Sequence, residues 1–248
     1  MPALQKDNGY SLIELIAALI IIAVMVTIAL KSLGTVTDTA RMEQTRKSLS
    51  GLADAVVGNP ELLSNGARTD YGYVGDVGAL PPDLDALASN PGSYTTWNGP
   101  YIQRDFTLGG SADNFKTDAW GKPYSYTGLA IISSGGGTTL TRQLANSVDD
   151  LLFNRVLCSI TDLDHTPPGN AYRDSIRCVL VCPDGAGALS SRILSVDPDG
   201  SVAFDSVPIG IHPLIVVFTP TADTLRRDIS LAPGQDYFAE LAYGDNYW

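Results

Sequence analysis

The chain has 248 residues, a formal net charge of -11 and 44% hydrophobic residues. That length holds one apolar anchor plus one or two globular units, and the acidic balance excludes nucleic acid as a partner, because neutralising phosphates needs a Lys/Arg surface. The N-terminus opens with a short polar stretch, MPALQKDNG, ending in Gly9. From Leu12 to Leu30 every residue is then apolar or small except Glu14 and Thr27. This is close to the roughly 20 residues that cross a bilayer as a helix. A carboxylate inside such a span costs about 2.5 to 3.5 kcal/mol on insertion scales and calls for a partner. In a plain anchor Glu14 would instead snorkel to the headgroups, which leaves the Gly9 junction without a purpose.

An ordinary secretory signal has its small-residue cleavage site after the apolar run, whereas here the distinctive junction precedes it. The run Gly9, Tyr10, Ser11, Leu12, Ile13, Glu14, Leu15 resembles the processing segment of type IV pilins and type II secretion pseudopilins. That resemblance implies cleavage after Gly9 by a prepilin peptidase on the cytoplasmic side and methylation of the new amine at Tyr10. It also implies that Glu14 faces the N-terminal amine of an adjacent subunit during filament assembly. Tyr10 departs from the more usual Phe. Opposite charges a few ångströms apart in hydrocarbon attract strongly, and neither is tolerable there alone, so such pairing selects register.

Beyond the anchor, Met42, Thr45, Leu49, Leu52 and Val56 recur at steps of three and four and form one apolar stripe, with Arg41, Glu43, Arg46 and Lys47 on other faces. A single helix is expected over residues 10–57, stopped by Gly58-Asn59-Pro60. Gly34, followed by Thr35 and Val36, marks a point where it could bend or serve as a tolerated helix glycine.

The next stretch mixes aromatics with Gly and Pro and predicts an ordered loop with a short helix near residues 83–88. TDAWGKPYSY, residues 117–126, resembles the Asp-Pro-Trp-Gly-Asn-Pro-Tyr segment of major pseudopilins through Asp118, Trp120, Gly121, Pro123 and Tyr124; Ala119 and Lys122 depart from it. A Gly-x-Pro turn joining short strands, with Trp120 capping the sheet against the helix stripe, is the expected role. The resemblance covers residues 1–132, and the family's calcium loop is not carried over, because Ser133-Ser134-Gly135-Gly136-Gly137 leads into another hundred residues.

That glycine run is expected to be a flexible connection. Apolar alternation then predicts strands at residues 155–161, 175–181, 190–196, 201–204, 212–219, 225–231 and 237–242, which favours a β-sandwich. DGSVAFDSVPIGIHPLIVVF resembles carboxypeptidase regulatory-like, transthyretin-type modules through Gly200, Phe204, Val207, Pro208, Gly210 and His212. The expected fold is therefore α+β: a long N-terminal helix on a small antiparallel sheet, the pilin fold, followed by an all-β sandwich. Its expected parts are a leader at 1–9, the helix at 10–57, a pilin-like domain at 58–137 and the sandwich at 138–248.

Three cysteines fall in the last part. Cys178 and Cys182 share one strand face about 13 Å apart, too far for a bridge that needs Cα atoms within about 7 Å, so Cys158 is the natural disulfide partner for one of them. Zinc held by the three with His165 is possible on ligand types, although no compact C-x-x-C pair exists. Asp197-Pro198-Asp199-Gly200 has the start of a calcium loop but lacks its later glutamate, which favours a hairpin turn. Asp162, Asp164 and His165 are expected to be solvated loop residues, with calcium binding the second reading.

Only two histidines, His165 and His212, are present, and no G-x-S-x-G, H-E-x-x-H or Walker motif occurs. No enzymatic activity and no cofactor are expected. The resemblance implies a homo-oligomeric filament subunit whose partners are the prepilin peptidase, the inner-membrane assembly machinery and, before assembly, membrane lipid. The alternatives are a minor or tip subunit that binds through its sandwich, or a tethered domain that never assembles. The expected location is the inner membrane, leader in the cytoplasm and body outside it, then a periplasmic or surface filament.

Overall fold

A computed structural model describes residues 12–102 and 114–248. Helix α1, Leu12–Val57, is unbroken and runs straight through Gly34. Its two halves have different fates. None of the described residues covers the apolar first half, where Leu12 is 78% and Ile20 59% exposed, and the helix is long and apolar enough to cross a membrane. In the second half Thr45, Leu49, Leu52 and Val56 are buried and Met42 half-buried, which is the stripe the spacing predicts. Burying each large aliphatic side chain of that stripe contributes about 1.5 to 3 kcal/mol.

The helix ends where Gly58, at φ 81°, donates its N–H to Asp54 O. Arg68 then reaches back, its Nη2 donating to Val57 O at 2.5 Å and Gly58 O at 2.8 Å, satisfying two of the carbonyls a helix terminus leaves open. Arg68 closes the short hairpin β1 (Leu63–Ser64) and β2 (Ala67–Arg68), joined by Asn65-Gly66 with both residues at positive φ. Helix α2 (Gly72–Val77) packs on the end of α1, and a 3-10 turn at Leu84–Leu87, capped by Asp83, occupies the expected short-helix position.

Strands β3 (Ser125–Tyr126), β4 (Ala130–Ser133) and β5 (Leu140–Gln143) form an antiparallel sheet in that order against α1. This corrects the expected break at residue 137. The glycine run is the turn of the β4–β5 hairpin, so the first sheet continues to Gln143.

After α3 (Asp149–Leu152) comes β6 (Asn154–Thr161), then α4 (Gly169–Tyr172) and the strands β7 (Ile176–Pro183), β8 (Leu189–Ser195), β9 (Ser201–Val207), β10 (Gly210–Phe218), β11 (Asp223–Leu231) and β12 (Tyr237–Ala242). They make a sandwich of a four-stranded sheet, β11-β10-β7-β8, and a three-stranded sheet, β12-β6-β9, in which the first and last strands, β6 and β12, run parallel. Phe204, Ile160, Leu180 and Leu214 lie at its centre, all fully buried.

The sandwich is docked on the helix-bearing body rather than strung from it. Ile209, between β9 and β10, is fully buried in the core built by Leu52, Tyr73 and Leu87. Its N–H donates to Leu151 O at 2.8 Å, and Gly185 N–H donates to Val77 O at 3.0 Å. Tyr71 and Ser230 share a hydroxyl–hydroxyl bond of 2.6 Å, while Ser230 Oγ also donates to Arg68 O at 2.8 Å.

Candidate functional site

Glu14 lies in the first turn of α1 as described, surrounded by exposed Ile13, Leu15 and Ile16. Among the described residues it makes no hydrogen bond or ion pair. A lone carboxylate in an apolar collar is costly in hydrocarbon unless a positive group joins it. The expected cleavage junction, Gly9 and Tyr10, and the expected leader at 1–9 lie outside the described residues.

The turn motif is resolved in detail. Asp118 is 5% exposed and works as a hub. Its Oδ1 accepts the Trp120 N–H at 3.0 Å and the Lys122 N–H at 2.9 Å, and its Oδ2 accepts the Ser133 hydroxyl at 2.7 Å. Burial alone would raise its carboxyl, but these bonds and one from the Gly135 amide outweigh that and hold it below the usual carboxylate range. Gly121 sits at φ 80°, and its N–H closes the turn onto Asp118 O. Pro123 pairs with Thr117 in a single bridge, and Tyr124 enters the core beside Leu49 and Leu52.

Trp120 departs from expectation. A Cβ added at Gly136 would stand 2.5 Å from the Trp120 ring, so the indole covers the glycine turn rather than capping the sheet against the helix stripe. The link to the stripe is made instead by Ala119, whose N–H donates to Thr45 Oγ1 at 3.2 Å. Gly135 is equally constrained, since a Cβ there would meet Asp118 Oδ2 at 2.2 Å. The glycines are small because the motif presses on them. Local sequence carries no sign of this beyond their coming in a run.

The cysteine expectation is corrected. Cys158, Cys178 and Cys182 are buried free thiols, with no disulfide. Cys158 on β6 and Cys178 on β7 belong to opposite sheets of one core, and burial pushes them up to about 11 and about 12, the neighbouring Cys158 adding to the rise at Cys178. Thiols so buried act as small apolar side chains. The zinc reading fails as well: the His165 side chain is 81% exposed while the cysteines are internal, and no group of three or more His, Cys, Asp or Glu among the described residues is placed to hold a metal ion.

Asp162 is a correction of a different kind. It is 1% exposed, not solvated, and its Oδ1 accepts the Thr166 N–H at 2.8 Å, so it fastens its loop from inside. Asp164 Oδ2 accepts the Asn246 N–H at 3.2 Å. Asp197 to Gly200 is the expected hairpin turn, with the Gly200 N–H donating to Asp197 O at 2.8 Å. His212 is buried, its Nε2 2.7 Å from Pro208 O.

An apolar half-helix that no described residue covers, bearing one carboxylate and continued into a buried half that carries a small sheet, is consistent with the pilin fold. The family model described as the prokaryotic N-terminal methylation motif matches residues 4–30. The chain thus carries the N-terminal segment of a structural, membrane-anchored type IV pilin-like or pseudopilin-like precursor. No curated protein sequence matches it. Among solved structures it is similar to the hydrazine synthase of Kuenenia stuttgartiensis at 13% identity, over 50% of this chain and 22% of that one, with a TM-score of 0.25. So low a likeness carries no argument about fold or activity.

Proposed function

We propose that the chain is a structural subunit of a type IV pilus-like or type II secretion pseudopilus filament. In this reading a prepilin peptidase cuts between Gly9 and Tyr10, the Tyr10 amine is methylated, and inner-membrane assembly machinery draws the subunit from lipid into a homo-oligomeric helical filament. The body lies outside the cytoplasm throughout.

The observation that supports it is the continuity of α1 between an apolar half that no described residue covers and a half built into the body core. On leaving the bilayer that apolar surface must be buried again, and a bundle of identical stems does so. Glu14 then meets the Tyr10 amine of a neighbour. N-terminal mass spectrometry of the protein from cells with active prepilin peptidase tests the reading. N-methylated Tyr10 as the first residue is expected; an intact Met1 terminus contradicts it.

A second reading, a minor or tip subunit, is favoured by the sandwich, whose four-stranded sheet leaves Leu189 and Ile193 66% and 56% exposed. A main subunit dominates sheared surface material, whereas a tip subunit is scarce in it.

A further inference from the structure

A histidine fastens the turn that plugs the body core. Strand β9 ends at Val207 in the three-stranded sheet and β10 begins at Gly210 in the four-stranded one, so Pro208 and Ile209 carry the chain between the sheets. Two residues into β10, His212 is 1% exposed and places Nε2 2.7 Å from Pro208 O. A carbonyl oxygen only accepts, so Nε2 carries the proton and donates it to that bond. Nδ1 has no hydrogen-bond partner among the described residues.

The ring also bears on the junction with the body. Gly210 adopts φ 148°, and a Cβ there would stand 2.9 Å from His212 Cε1 and 3.2 Å from Gly75 O of α2. Imidazole, turn and α2 therefore pack together. Two amides cross the same junction, Ile209 to Leu151 O and Gly185 to Val77 O. A charged imidazole does not suit this place: its second proton would sit on Nδ1, and burial removes the water that would solvate the charge.

The groups facing the ring do not offset that cost. On β11 the partner of His212 is apolar Ile229, and its neighbour Asp228 is exposed on the other face. On β7, Cys182 shares the inner face with Leu180, the partner of Leu214, and burial pushes its thiol up against the opposing effect of Arg192 on β8. On α2, Tyr73 is buried in the body core with its phenol pushed up to about 12, while Asp76 and His212 both line a hollow of about 570 Å³. The loop from Thr95 to Asn98 that completes this hollow adds no titratable side chain. Among the described residues, burial and the Pro208 bond alone set the basicity of the ring, burial lowering it from the ordinary 6.5 and the bond opposing.

We propose that His212 is a pH-sensitive latch: neutral, it holds the Ile209 turn in the body core, and protonated it lets that turn go and loosens the sandwich from the body. Because its folded-state value is lowered, the ring supports docking fully above pH of about 6.5, the unfolded value, and that support is lost as pH falls below it toward the folded one. Asp76 pulls the other way, since burial raises its carboxyl and its protonation favours the docked state. The latch stands on the junction alone and not on filament assembly, so either can fail without the other.

Hydrogen exchange at the Ile209 and Gly185 amides tests it, in the full chain held in zwitterionic lipid nanodiscs and corrected for the intrinsic effect of pH on exchange. Between pH of about 7.5 and about 5.5 their protection is expected to fall several-fold, and at most about ten-fold, the limit for one proton titrating at about 6.5. Strands β6 and β9 are expected to change little. His212→Gln, which keeps a donor for Pro208 O and cannot titrate, is expected to abolish the fall. His165→Gln, at a side chain 81% exposed, is expected to leave it intact. Unchanged protection in the wild type across that range, an equal fall in β6 and β9, the same fall in His212→Gln, or its disappearance in His165→Gln overturns the proposal.

Discussion

Asp118 Oδ2 accepts the Ser133 hydroxyl at 2.7 Å, and that bond ties the Asp-Ala-Trp-Gly turn to the last residue of β4. Replacing Asp118 with Ala leaves the Trp120 and Lys122 amides and the buried Ser133 hydroxyl without their acceptor. A loss of about 2 to 4 kcal/mol is expected in denaturant unfolding.

The same carboxylate sets a pH dependence. Its folded-state value is depressed, so its contribution is fully present above the unfolded value of about 3.9 and fades as pH falls through the folded one. Asp118→Asn removes that contribution. The stability gap between wild type and this variant should therefore be widest above pH of about 4 and narrow below it, as read by urea melts across the acid range.

If the Gly135-Gly136 run were a loose connection, adding methyl groups would do nothing. The clashes with Asp118 and Trp120 predict instead that Gly135→Ala and Gly136→Ala each cost about 1 to 3 kcal/mol. Gly51→Ala, in α1 with open space around it, should stabilise by roughly 0.5 to 1 kcal/mol. Melting curves of the three variants separate the two kinds of glycine.

Ile209→Ala opens a cavity where the sandwich plugs the body core, at a cost of about 2 to 4 kcal/mol. Hydrogen exchange should show lost protection in Gly72–Val77, with the strands of the sandwich core little changed. Uniform loss across the chain contradicts docking through this residue.

The buried cysteines predict a thiol count. A thiol reagent should find three reactive groups after denaturation without reductant, and almost none in the native protein, where burial both blocks access and disfavours the thiolate. A single thiol after denaturation would instead mean that two have paired.

Much of the fold was legible because it rests on periodicity. The Met42 to Val56 stripe and the seven sandwich strands announce themselves through spacing of three and four or alternation by two, and their structural bounds differ from the expected ones by a few residues. What stayed hidden depends on contacts between distant segments. Gly135 and Gly136 look flexible until Asp118 and Trp120 are brought against them. Ile209 is one apolar residue among several in its turn, and only the docked body makes it a plug. Cys158 is expected from strand position to bridge to Cys178 or Cys182, yet all three pack as free thiols.

The central claim of the proposed function is that Glu14, without a partner among the described residues, is neutralised by a neighbouring subunit's N-terminal amine. Sedimentation of sheared filaments from cells making Glu14→Ala, beside wild type and with membrane content measured in parallel, tests it most directly. Glu14→Ala is expected to be cleaved and inserted as wild type is, yet to leave the filament fraction empty; filaments in wild-type amount from that variant contradict the account.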